Sequence, residues 1–101
     1  MARFRDINFF HKLHVSSNSF SDHSVSWNFN SVGIAIMIES NTDGEAIEYS
    51  FDGTTVHGDC VALTPSEAII FDNRTQNKIW FRRSSGSSPI LVRIEAWGNQ
   101  A

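Results

Sequence analysis

Apolar and polar residues alternate with period two along most of this chain. Val25, Trp27 and Phe29 alternate with Ser26, Asn28 and Asn30. In the next run Val32, Ile34, Ile36 and Ile38 share one face and Gly33, Ala35 and Met37 the other, which predicts a strand covered on both sides. Ile47, Tyr49 and Phe51 oppose Glu48 and Ser50, and Ile79 and Phe81 oppose Trp80 and Arg82. Ile90, Val92, Ile94 and Ala96 oppose Leu91, Arg93, Glu95 and Trp97. Successive side chains of a strand point to opposite faces, so this alternation predicts strands. An apolar face on nearly every strand calls for a second sheet to bury it.

Turn chemistry separates the runs. Asn41-Thr42-Asp43-Gly44 divides two of them. Asp52-Gly53 between alternating apolar residues predicts a hairpin with a type I′ turn, which needs positive φ at both central residues. Ser84 to Pro89 reads as a flexible connection, with Pro89 at a strand entrance where its missing N–H does no harm. Thr64-Pro65-Ser66-Glu67-Ala68 predicts one helical turn, with Thr64 as N-cap and Glu67 as its partner, leading into a strand through Ile69, Ile70 and Phe71. The fold class is therefore all-β, a sandwich of about seven or eight antiparallel strands. Its order is jelly-roll or immunoglobulin-like, because alternation assigns faces and not pairing. Residues 21–101 form one domain. Residues 1–20, more polar and less regular, form an N-terminal arm or an edge strand.

Composition narrows the function. The 101 residues carry a net charge of −3, which argues against a nucleic-acid binder and against attraction to an anionic membrane. No apolar run approaches the roughly 20 residues of a membrane span. The first residues, MARFRDINFFHKLH, lack the apolar region of a secretory signal, so the Asn73-Arg74-Thr75 sequon is a chance match. The single Cys60 has no internal disulfide partner and reads as a small buried hydrophobe, in a reducing compartment or in a chain stabilised by assembly.

Candidate chemistry is sparse. His11 and His14 are three apart, a spacing that faces opposite ways on the strand their neighbours favour. His57, Asp59 and Cys60 match no zinc spacing, and Asp52 has no catalytic partner that the sequence identifies. No nucleophile elbow, phosphate loop or dinucleotide fingerprint is present. The expectation is a non-enzyme without cofactor or metal, in which Asp52 and Gly53 serve a structural turn. Trp80 and Arg82 share a face, as do Arg93, Glu95 and Trp97. Neighbouring strands could juxtapose them on an outer sheet face, which reads as an ordinary sheet surface or a second, smaller core, or else as an interface for a protein partner or a platform for sugar rings. Phe9 and Phe10 join Trp80, Arg82, Arg93 and Trp97 as candidate interface residues.

From Glu48 onward the chain resembles small structural proteins of tailed-phage virions. The residues that carry the resemblance are EYSFDGTTVHGDC (Glu48 to Cys60), TPSEAIIFDNR (Thr64 to Arg74), KIWFRR (Lys78 to Arg83) and VRIEAW (Val92 to Trp97). It covers about half the chain, and its order and spacing are distinctive without being catalytic. The resemblance implies a β-sandwich decoration (cement) protein on the capsid exterior, assembled in the host cytoplasm. Its partners would be the major capsid protein and copies of itself, with a trimer favoured over a dimer. A head–tail or tail accessory protein is the nearest rival, and a carbohydrate-binding module with coplanar, exposed Trp80 and Trp97 is the rival from another class.

Overall fold

The computed structural model describes residues 5–40, 46–61 and 68–100. These form eight strands: β1 (Arg5–Val15), β2 (Ser24–Ser26), β3 (Gly33–Ser40), β4 (Ala46–Ser50), β5 (Gly58–Val61), β6 (Ala68–Phe71), β7 (Lys78–Arg83) and β8 (Ile90–Gln100). A short 3₁₀ turn, Phe20–Asp22, lies between β1 and β2.

Strand pairing is nested. β1 pairs with β8, β2 with β7, β3 with β6 and β4 with β5, all antiparallel. The chain is thus one long hairpin whose rungs fall alternately into two sheets. Further pairing of β3 with β8 and of β4 with β7 joins the rungs. Sheet A has the order β1-β8-β3-β6 and sheet B the order β2-β7-β4-β5. That is the jelly-roll order, which resolves the choice that alternation left open.

The predicted faces form the core. Ile34, Ile36, Ile38, Val92, Ile94 and Ala96 of sheet A meet Val25, Ile47, Tyr49, Ile79 and Phe81 of sheet B. Branched residues dominate because they fit a pleated, half-buried surface. Two readings change, and the choice between an arm and an edge strand is resolved. Trp27 and Phe29 keep their inward lean, but β2 stops at Ser26. Trp27 leaves the ladder with its N–H donated to Asn77 O at 2.9 Å. The second face of β3 is only partly covered, with Ala35 and Met37 half-buried. Residues 5–15 are a strand at the sheet edge, paired along their whole length with β8. The Asn41–Gly44 turn and the Thr64–Glu67 helical turn lie outside the described residues, as does the side chain of Cys60.

Candidate functional site

Ser50 ends β4 and Gly58 begins β5, so the Asp52-Gly53 hairpin has a long connection, residues 51–57. Only Gly53 has positive φ there, at 86°, and no described non-glycine residue does. The type I′ expectation is therefore corrected. The turn is built by a side chain instead. Asp52 Oδ1 accepts the N–H groups of Thr54 at 2.9 Å and Thr55 at 2.8 Å, and the Ser50 hydroxyl at 2.9 Å. These donors stabilise the charged form. The Thr55 and Thr54 amides hold the carboxyl well below its ordinary range. His57 closes the same loop: its Nδ1 accepts Phe51 N–H at 3.0 Å, and its backbone N–H donates to Tyr49 O at 3.0 Å. Asp59 sits opposite Glu48 in the β4–β5 ladder. The polar cluster from Tyr49 to Asp59 thus holds a hairpin together.

Trp80 and Arg82 face outward from sheet B. Arg82 Nε donates to Glu48 Oε1 at 2.7 Å, and its guanidinium lies 4.3 Å from the Phe20 ring centre. Lys78 Nζ is 4.8 Å from the Trp80 ring centre, and a Cβ on Gly53 would stand 3.0 Å from that ring. Arg93 and Trp97 face outward from sheet A, on the opposite side of the sandwich. Trp97 pairs with Gly33 and lies so close over it that no Cβ fits. The two tryptophans therefore share no platform, and the single juxtaposed Trp/Arg face expected from alternation divides into two. Period two places side chains on faces, but it does not assign strands to sheets.

The outer face of sheet A carries a linked set of charges. Glu39 joins Lys12 at 2.9 Å and Arg93 at 3.4 Å, and Arg93 reaches Glu95 at 3.0 Å. The Lys12 hydrogen bond, followed by that of Arg93, holds Glu39 below the usual carboxylate range. Glu95 and then Glu39 raise the Arg93 guanidinium further. Beside this set, one row of cross-strand neighbours runs Phe10, Glu95, Ala35, Ile70. Phe10 is 54% exposed and Ile70 58%. Phe9, one residue away, turns to the core side and packs on Trp27 at 5.4 Å between ring centres. Phe9 and Phe10 accordingly belong to different surfaces.

Several structural roles escaped the sequence reading. His23 Nε2 accepts the N–H groups of Ser16 and Ser17, at 3.1 and 3.2 Å. Gln76 Nε2 donates to Phe51 O at 2.7 Å and Lys78 O at 2.9 Å, while Gln76 O accepts Trp27 Nε1–H at 3.0 Å. Arg74 covers the Phe51 ring at 3.8 Å. Ile70 carried a usable signal, because three successive apolar residues on a strand cannot all face inward. His11 and His14 are both exposed on β1. Among the described residues no three His, Cys, Asp or Glu side chains come together as a metal site. Compared with protein-family models and with curated proteins, the chain matches none.

Proposed function

We propose that this chain is a non-enzymatic virion protein of a tailed phage that binds the capsid exterior and stabilises the shell. The observation that carries this reading is the row across sheet A, where half-exposed Phe10 and Ile70 flank Glu95 and Ala35 beside the Lys12–Glu39–Arg93 ion pairs. Such a face, apolar at intervals and bordered by charge, suits a protein surface. The resemblance of Glu48 to Trp97 to virion proteins supports the same class. The jelly roll itself serves shells, lectins and other functions, so the fold alone does not choose among them.

The action would be mechanical. Copies bridging adjacent shell subunits bury modest surface at each contact, and repetition over the lattice raises the effective concentration of every contact. Binding to the expanded shell alone would stabilise it by mass action.

Co-sedimentation with empty expanded capsids of the encoding phage tests this. The expected result is saturable binding to the shell, weakened at least about tenfold by Ile70→Glu, a change of about 1.4 kcal/mol. Melting of the free variant should stay close to that of the parent, because Ile70 is exposed on an edge strand. Absence of the parent protein from the capsid pellet would overturn the shell role. Binding to purified tails instead would assign it to the tail.

A further inference from the structure

The four sheet edges of this jelly roll are unequal. β2 has three residues, and β5 and β6 have four each. β1 has eleven. Natural edge strands are commonly kept short, broken by a bulge or proline, or guarded by a charge. β1 lacks three of these defences, being long and without bulge or proline, and its charged residues are Arg5, Asp6 and Lys12. Its ladder runs without a register shift from Arg5 opposite Gln100 to Val15 opposite Ile90. It contains no proline. Lys12, the lysine that would guard it, is drawn to Glu39 of its own sheet face at 2.9 Å.

Peptide groups along an antiparallel edge point alternately toward the paired strand and away from it. Those of β1 that point away from β8 meet no backbone hydrogen-bond partner among the described residues. Side chains of both parities are exposed along this strand: Asn8, Phe10, Lys12 and His14 on the outer face, and His11 on the other.

We infer that β1 is a homodimer interface, in which two copies pair their β1 strands antiparallel about a two-fold axis. Length selects the occupant. Among the described residues no other free edge offers more than four residues, whereas a second copy offers eleven in the complementary direction. An interface of one surface with itself closes after two copies and leaves neither β1 edge open. Side-chain chemistry selects the register. With the axis at Phe10, the two Phe10 rings oppose each other, Asn8 opposes Lys12 of the second copy, and Phe9 opposes its His11. The two Lys12 ammonium groups never face each other. Sheet A then continues through the axis as eight strands, and the Phe10–Ile70 row doubles in length. This two-fold closure departs from the trimer that the family resemblance implies, and it holds whether or not the capsid is the partner.

Sedimentation velocity over a range of concentrations, on the full chain without capsid, is the test. The expected species is a dimer that dissociates on dilution. Phe10→Lys should weaken it at least about tenfold. That change places like charges across the axis but also sets a lysine beside Arg93, whose guanidinium lies 5.2 Å from the Phe10 ring centre, so the melting of the monomeric variant is measured with it. Amide exchange on the parent protein needs no variant: alternate β1 amides should gain protection above the dissociation concentration. A monomer at all concentrations, a trimer, or a dimer that ignores Phe10→Lys would each overturn the inference. So would β1 amides whose exchange does not change with concentration.

Discussion

Arg83 lies at the end of β7 on the parity that points inward, and it is fully buried. Its Nε donates to Ser85 O at 2.8 Å and its Nη1 to Ser88 O. Asn18 Nδ2 fastens the same segment through Arg83 O at 3.1 Å and Gly86 O at 3.3 Å. Residues 84–89, read from composition as a flexible connection, are therefore folded around a guanidinium. Position 83 continues the inward parity of Ile79 and Phe81, although its side chain is charged. A buried cation is tolerated when carbonyls satisfy it. Arg83→Met should destabilise by about 1–3 kcal/mol for each carbonyl left unsatisfied. Urea unfolding would read this as a lower midpoint at unchanged slope, and an unchanged midpoint would show that the loop does not depend on the guanidinium. Asp52 is the acidic counterpart. Because its folded pKa is depressed, its contribution is complete above the ordinary carboxyl range near pH 4 and is lost as pH falls below it. Asp52→Asn keeps an acceptor without the charge, so its melting temperature should be lower at pH 7 and should fall less than the parent's between about pH 4 and pH 2. Parallel pH profiles for the two proteins would contradict this. Gly53→Val forces a β-branched residue into positive φ beneath Trp80, at a cost of about 1–2 kcal/mol, measurable in the same unfolding experiment.

At the scale of elements, what the sequence made legible was the facing of each strand. The inward sets of β3, β4, β7 and β8 follow the alternation, because a one-residue slip would expose every isoleucine. Partners were not legible, because β1 and β8 lie at opposite ends of the chain and nothing local couples them. β1 also obscured its own nature. An edge strand is wetted on both sides at several positions, so Phe9, Phe10, His11 and Lys12 show little contrast, and the segment reads equally as an arm or an edge strand. In the sandwich it contributes fully buried Val15 and half-buried Leu13 to the core. Deleting residues 1–15 should therefore abolish cooperative thermal unfolding, because β8 loses its whole flank. A cooperative calorimetric transition in the truncated protein would show that β1 docks on a domain already complete. The candidate interface residues divided for the same reason. Trp80 and Arg82 belong to a strand of sheet B, Arg93 and Trp97 to a strand of sheet A, and only pairing determines that.

For the whole molecule, nesting makes the outermost rung span nearly the full sequence. Folding rates fall as contacting residues become more distant along the chain, and β-sandwiches accordingly fold in milliseconds to seconds. Refolding by stopped-flow tryptophan fluorescence should fall in that range, and a microsecond phase carrying the full amplitude would contradict it. The same nesting orders events during synthesis. Val15 and Gln100 are 85 residues apart, so at roughly 5–20 residues per second β8 is completed about 4–17 s after β1. In that interval only the inner rungs have both their strands, and β1 waits with both edges open. The edge that would later join two finished molecules is therefore a hazard between neighbouring nascent chains on one messenger, where the same pairing would occur before either chain has its own β8.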